Sequence, residues 1–234
     1  MNETQLGERI ARVRTRVERA AERSGRDAAA VRVLPITKGH SAGVLRAVAE
    51  AGFAAIGENR VGEAERKREA LGTLGLCWHM VGHLQRNKAA RAVALFDVIE
   101  SVDSRRLARR LSLEAERAGR EPLPVLVQVN ASGEEAKGGF PVDSAPAEVA
   151  RVCELPGLAV RGLMTMAPFT GDEDVLRATF RRTAECFRRC REEIFGHDAS
   201  VLSMGMSNDF EIAIEEGSTE VRLGTILVGE RPER

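Results

Sequence analysis

The chain has 234 residues, of which 43% are hydrophobic, and its 35 basic and 35 acidic side chains give a formal net charge of zero. A neutral chain offers no general polybasic surface for nucleic acid or anionic membranes, and no segment reaches the roughly 20 apolar residues of a membrane-spanning helix. The N-terminus lacks the charged-then-apolar layout of a signal peptide. We therefore expect a soluble, cytoplasmic protein without nucleic-acid or membrane partners.

Helical patterns alternate with short apolar runs along the chain. The first helix, at 3–23, is amphipathic, and its Arg/Glu-rich face is interpreted as solvent-facing. Strands are predicted at 31–38, 54–59, 77–82, 96–102, 124–130, 158–164, 200–203 and 219–223. Further helices are predicted at 41–51, 61–70, 88–95, 103–118, 144–153, 172–194 and 207–216.

Eight strands alternating with eight helices predict an α/β fold of the (β/α)8 TIM-barrel type. No linker interrupts the pattern, so we expect one domain over 1–234, with the N-terminal helix within 1–25 packed on the barrel. The alternative is an open doubly wound sheet. Against it, the sequence has neither a Gly-rich dinucleotide fingerprint after the first strand nor a phosphate loop.

The first predicted strand ends in Lys38, one of four lysines in the chain. Because barrel sites lie at the C-terminal ends of strands, this amine would sit at the mouth of a site. Partial burial there lowers an amine's pKa, and the neutral amine attacks carbonyls to form a Schiff base. The alternative is a surface lysine that happens to end a strand. Lys67, in a charged helix, is interpreted as ordinary surface charge, and Lys137 as an exposed loop residue.

The last two strand ends suit a phosphate. Hydroxyl side chains and glycines cluster there, at Ser203, Gly205, Ser207, Gly224 and Thr225, and glycines let backbone N–H groups approach an anion. Since barrels often bind phosphate after strands seven and eight, a lysine at strand one and a phosphate cradle together suggest a phosphorylated aldehyde. Pyridoxal 5′-phosphate (PLP) fits that description.

Other polar residues in the strands have less specific interpretations. Arg222 alternates with apolar neighbours and is as compatible with an outward surface position as with the site. His79 is interpreted as a core or edge histidine, and Asp97 and Glu100 as residues that flank and cap a strand.

Seven ordered motifs resemble those of the pyridoxal phosphate homeostasis proteins, single-domain relatives of the alanine racemase N-terminal barrel. The motifs are Ile36-Thr-Lys38; Gly57-Glu-Asn59; Trp78-His-x-x-Gly82 with Leu84-Gln-x-Asn-Lys88; Asn130 through Lys137-x-Gly139; Arg161-Gly-Leu-Met164; Ser203-Met-Gly-Met-Ser-x-Asp209; and Val221-Arg-x-Gly-Thr225.

The resemblance implies that PLP forms a Schiff base with Lys38, beside Asn59 and Met164. It further implies that Arg222 faces the pyridine nitrogen, where a permanently charged arginine disfavours ring protonation and makes the ring a poorer electron sink. Phosphate ligands are implied at Ser203, Met206, Gly224 and Thr225.

The resemblance also implies a non-catalytic, monomeric carrier that buffers PLP and passes it to apo-enzymes. The alternative is an amino-acid racemase, which in this barrel class uses a tyrosine as second base, whereas this chain contains no tyrosine. A third possibility is an aldolase-type barrel that uses Lys38 on sugar phosphates. Whether Lys137 holds PLP transiently is left open.

Overall fold

Strands and helices alternate throughout the computed structural model, which describes residues 3–72, 74–134, 137–195 and 199–231. Within these ranges the strands β1–β9 are Arg32–Pro35, Ala55–Glu58, Cys77–Met80, Val98–Val102, Leu123–Asn130, Phe140–Pro141, Leu158–Met164, Val201–Ser203 and Glu220–Leu223. The helices α1–α9 are Glu3–Arg23, Ala42–Glu50, Val61–Leu71, Ala89–Leu95, Arg105–Arg117, Ala145–Cys153, Glu173–Cys190, Phe210–Glu215 and Thr225–Val228. None of the helices in the described ranges is both long and apolar enough to cross a bilayer.

The strands other than β6 form one parallel sheet that closes into a ring. Their order is β1–β9–β8–β7–β5–β4–β3–β2. The two end strands, β1 and β2, meet at a bridge between Ile36 and Gly57, where the Thr37 N–H donates to the Gly57 carbonyl at 3.0 Å. This closure confirms the predicted (β/α)8 barrel, and the open doubly wound alternative is wrong.

Helix α1 packs across the outside of the barrel. Its predicted apolar face is buried: Leu6, Ile10, Val13 and Val17. Each such side chain stabilises the packing by about 1.5–3 kcal/mol. The Arg/Glu-rich face is exposed, as predicted, and at its border Arg16 donates two hydrogen bonds to Glu211, at 2.8 and 2.7 Å. The same guanidinium lies 4.6 Å from the centre of the Phe210 ring of α8. Polar contacts as well as apolar burial therefore fix α1 on the barrel.

Strand β7 contains an irregularity that explains one of the motif glycines. Its pairing with β5 skips Arg161, because Val160 faces Val125 whereas Gly162 faces Leu126. Gly162 has φ +151°, and a Cβ there would lie 1.8 Å from the Val201 carbonyl oxygen. Only glycine permits this approach of β7 to β8.

The first strand ends earlier than predicted, and this changes where Lys38 lies. β1 ends at Pro35, and beyond it Ile36 forms only a single bridge, with Gly57. The chain then turns: the His40 N–H donates to the Thr37 carbonyl at 3.1 Å, and Gly39 has φ +78°. Lys38 is therefore on a turn at the rim of the barrel and not in the strand itself.

Candidate functional site

Lys38 lies half-buried on the turn between β1 and α2. Its amine makes no hydrogen bond or ion pair with any residue in the described ranges. Burial lowers the pKa of Lys38, and the charges of Arg231 and Arg60 lower it further, whereas Glu63 acts in the opposite direction. Because only the neutral amine is nucleophilic, a lowered pKa increases its reactivity toward carbonyls near neutral pH.

A second lysine, Lys67, is hydrogen-bonded to this turn, and its interpretation as surface charge is wrong. Lys67 of α3 is only 6% exposed. Its amine donates to the Thr37 carbonyl at 2.8 Å, to Glu58 Oε1 at 2.6 Å and to Glu63 Oε1 at 2.7 Å. The Thr37 hydroxyl donates to Glu58 at 2.5 Å, and the Gly39 N–H donates to Glu63. All three amine donors of Lys67 are thus used on the residues around Lys38.

The two carboxyl groups of this cluster are shifted in opposite directions. Burial raises the pKa of Glu58, although its contacts with Lys67 and Thr37 oppose that shift. Burial acts the same way on Glu63, but hydrogen bonds from Lys67 and the Gly39 N–H outweigh it and lower the pKa of Glu63. Glu63 is therefore the carboxylate whose negative charge persists nearest the turn.

Asn59 follows β2 and borders a cavity of about 560 Å³ at the ends of β2 and β3. Its Oδ1 atom is buried and has no hydrogen-bond partner in the part of the chain that the structure describes. The end of β3 comes close to it, since a Cβ on Gly82 would lie 2.4 Å from the Asn59 carbonyl oxygen. Basic side chains contribute to the cavity wall: Arg60, Arg66, His83 and Lys88.

The loops after β8 and β9 place two of the predicted phosphate ligands next to β1. Gly224 and Thr225 begin α9, and the first N–H groups of a helix have no acceptor within it. An ideal Cβ on Gly224 would lie 3.7 Å from the Ile36 carbonyl oxygen, so this helix start adjoins the strand that leads to Lys38. Met206, in the loop after β8, already donates its N–H to Asp209 at 2.5 Å.

Arg222 points into the barrel and is 4% exposed, so the surface alternative is wrong. Its guanidinium donates to Ser203 Oγ and to the Thr165 carbonyl, both at 2.7 Å. The Ser203 hydroxyl in turn donates to Glu100 Oε2 at 2.7 Å. A direct bond from this hydroxyl to a phosphate would require that bond to break, and Ser203 therefore contributes first to the position of Arg222.

Glu100 is not a strand cap. It is fully buried within β4, where Oε1 lies 2.6 Å from His79 Nδ1. Burial alone would lower the pKa of His79, but hydrogen bonds to Cys77 and Glu100 raise it to about 10. Burial would likewise raise the pKa of Glu100, yet His79 and Arg222 hold it low. A carboxylate between two cations thus stabilises the interior.

The same cluster contains two buried polar atoms that lack a hydrogen-bond partner among the described residues. They are His79 Nε2 and Glu220 Oε1. Burial and the neighbouring Glu100 raise the pKa of Glu220 to about 7, although Arg32 donates to it at 2.6 Å. The sequence predicts none of the three core contacts, which are His79–Glu100, Ser203–Glu100 and Arg222–Ser203. For His79 it predicts only a position in the core or at an edge.

Two further predicted residues have clear positions. Met164 ends β7 and is fully buried, in register with Ser203. Lys137 is less exposed than expected, because its amine donates to the Ala167 carbonyl at 2.6 Å and to Glu134 at 3.2 Å. Lys38 therefore differs from both Lys137 and Lys67 in having an uncommitted amine.

Comparison with known proteins identifies the family. A model of the alanine racemase N-terminal domain matches residues 9–232. A pyridoxal phosphate homeostasis protein from Pseudomonas aeruginosa is 41% identical over 226 residues, which are 97% of this chain and 96% of that protein. The chain belongs to the pyridoxal phosphate homeostasis protein family. The resemblance drawn from the seven motifs is confirmed.

Solved structures extend the comparison. PipY from Synechococcus elongatus, determined with PLP bound, is 35% identical and superposes with a TM-score of 0.79, covering 92% of this chain and 100% of PipY. An alanine racemase from Clostridium difficile shares the fold at a TM-score of 0.77 and 15% identity. The match covers 97% of this chain but 57% of the racemase, so the likeness concerns the barrel alone.

Proposed function

We propose that this protein holds PLP on Lys38 and serves PLP homeostasis in the cytoplasm, binding and releasing the cofactor without turning over a substrate. The observation that carries the proposal is the uncommitted, half-buried amine of Lys38 at the rim of the barrel. Support comes from the names of its relatives and from PipY, whose structure contains PLP.

The residues present fit this cofactor. The start of α9, at Gly224 and Thr225, offers N–H groups to a phosphate beside the strand that carries Lys38. Asn59 presents a buried oxygen without a partner, which suits a polar group of a ligand. Met206 would add a backbone contact and Met164 would line the floor. Ser203, at the end of β8, would position Arg222 and lie beside the phosphate.

Lys38 would hold the cofactor, which would supply an aldehyde as the electrophile for the neutral amine. The chain supplies the neutral amine, because the pKa of Lys38 is lowered by burial and by Arg231 and Arg60. Arg222 is fixed by Ser203 and Thr165. Facing a ring nitrogen, it would donate a hydrogen bond while leaving that nitrogen unprotonated.

We propose binding without turnover because a two-base racemase needs a second proton carrier and the chain has no tyrosine. Delivery to apo-enzymes and a monomeric state belong to the same proposal. In this reading, reversibility is an advantage: a Schiff base on a solvent-accessible turn can be hydrolysed or exchanged with another lysine.

The test compares visible absorbance of the wild type, Lys38→Ala and Arg109→Ala. Arg109 is an exposed cation on α5, away from the candidate site, and serves as the control. We expect a yellow wild type and control, a colourless Lys38→Ala variant, and, after borohydride reduction, a pyridoxyl group on the Lys38 peptide by mass spectrometry. A wild type that takes up no added PLP would refute the proposal. Lys38-dependent racemisation of free amino acids would refute the absence of turnover.

A further inference from the structure

The turn that carries Lys38 is attached to the barrel through a buried ion cluster. Lys67 contacts the turn directly at the Thr37 carbonyl and indirectly through Glu63, which accepts the Gly39 N–H. The residues immediately before and after Lys38 are therefore both tied to one amine. That amine is 6% exposed, and Glu58 beside it is fully buried.

Holding a turn with such a cluster carries a large desolvation penalty. Removing charges from water costs several kcal/mol per ion, and apolar packing often stabilises a fold as well or better. The cluster does something that apolar packing could not do, since its cation lies against Glu63. In the described part of the chain, Glu63 is the carboxylate that raises the pKa of Lys38.

We propose that Lys67 is a positioning residue for Lys38, which fixes the turn through Thr37 and Gly39 and pairs Glu63, the carboxylate that would otherwise attract the Lys38 amine. This inference rests on the proposed role of Lys38 as the residue that binds the aldehyde. It assigns to α3 a function that no motif indicated.

The charges around Lys38 make the direction of the effect clear. Arg60, Arg231 and burial all disfavour the protonated amine, and among the described residues only Glu63 favours it. Lys67 lies 2.7 Å from Glu63 and offsets its charge. Without Lys67, Glu63 acts undiminished and Lys38 is protonated up to a higher pH, so less neutral amine is available to an aldehyde.

The experiment measures the Lys38 amine without using PLP. The full-length protein, dialysed with hydroxylamine to remove any aldehyde, is labelled with trace acetic anhydride between pH 6 and 11, and the Lys38 peptide is quantified by mass spectrometry. For Lys67→Met we expect the midpoint of Lys38 labelling to rise by about one pH unit. Well below the midpoint, this is an approximately tenfold slower reaction.

Two further variants separate electrostatics from loosening of the turn. Glu63→Gln keeps an oxygen for the Gly39 N–H but removes the charge, and it should lower the midpoint. A turn that merely loosens would raise the midpoint in both variants. Arg109→Met, at an exposed cation of α5, should leave the midpoint unchanged.

If Lys67→Met does not unfold cooperatively in urea, the variant Lys67→Met/Glu58→Gln replaces it. This variant removes the buried carboxylate together with the cation, and it should show the same rise because Glu63 still loses its partner. An unchanged midpoint in either folded variant, or an equal rise in Arg109→Met, overturns the inference. Failure of the wild type to take up PLP would instead refute the proposed function and leave this measurement intact.

Discussion

Two buried ionic regions of this barrel differ in whether the functional cation is hydrogen-bonded. In the lysine turn, formed by Thr37–Gly39 with Glu58, Glu63 and Lys67, the Lys67 amine binds both carboxylates. The Lys38 amine has no hydrogen-bond partner among the residues that the structure describes. The core network is formed by His79, Glu100, Ser203, Glu220 and Arg222. In it, both terminal nitrogens of the Arg222 guanidinium donate hydrogen bonds, one to Ser203 and one to the Thr165 carbonyl.

The difference separates reactivity from position. An amine that must attack a carbonyl is useful only when it can lose its proton, and any ion pair would prevent that. A guanidinium does not lose its proton in proteins, so hydrogen bonds can fix its geometry without changing its charge. Buried ionic contacts thus serve two purposes. Near Lys38 they pair Glu63 with Lys67, so that Glu63 attracts the Lys38 amine less, and in the core they fix the orientation of Arg222.

The largest expected effect breaks the core network. Glu100→Gln leaves His79 and Arg222 as buried cations without their carboxylate. Removal of one partner from a buried pair typically costs about 3–5 kcal/mol, and we expect a loss of that size in the free energy of unfolding in urea at pH 7. Glu65→Gln, which disrupts the surface pair with Arg91, should cause no resolvable change. A Glu100→Gln protein as stable as the wild type would show that the network is not an ionic one.

A smaller effect tests the lysine turn in the same way. Thr37→Val removes the hydroxyl that donates to Glu58 at 2.5 Å and leaves that buried carboxyl with Lys67 alone. Loss of one hydrogen bond to a buried polar group costs about 1–3 kcal/mol, and urea unfolding should show it. Thr170→Val, in an exposed loop, is the control. Equal stability of both variants would mean that Thr37 contributes nothing to the cluster.

The smallest effect is a change of pH dependence. Glu220 keeps its proton up to about pH 7 in the folded protein, whereas its ordinary pKa is 4.5. Its contribution to stability is therefore complete below pH 4.5 and is lost as pH rises through 7. Glu220→Gln should remove this loss, so that its stability relative to the wild type improves between about pH 4.5 and 7 and is constant just above.

His79 provides the internal reference for that measurement. Its pKa of about 10 predicts a further loss of stability as the pH rises from 6.5 through 10, and this loss should remain in Glu220→Gln. A relative stability that does not vary between pH 4.5 and 7 would contradict the raised pKa of Glu220.

The fold could be predicted because its signals are local. Apolar runs, helical periodicity and glycines between them identify a β/α alternation, and the closing contact of Ile36 with Gly57 follows once eight such units are recognised. Lys38 was found because it ends the first run. The early end of β1 has no such local signal, because the apolar run continues through Ile36.

The ionic contacts could not be predicted in the same way, because their partners are distant in sequence. Glu100 and Ser203 are 103 residues apart, and no periodicity connects them. Lys67 did leave a local signal. It shares a buried stripe of α3 with Val61, Ala64 and Leu71, and a lysine on the apolar face of a helix requires a buried partner. Glu100, inside a strand covered on both faces, gave the same kind of signal.

The closure of the ring has a consequence for how a bound molecule could leave. β1 pairs with β9 over four residues, from Arg32 to Pro35, but meets β2 at a single bridge, at Ile36. This seam lies two residues before Lys38. We therefore expect amide hydrogen exchange at Thr37 to be faster than in β5, and brief parting of the seam would loosen the turn that carries the lysine.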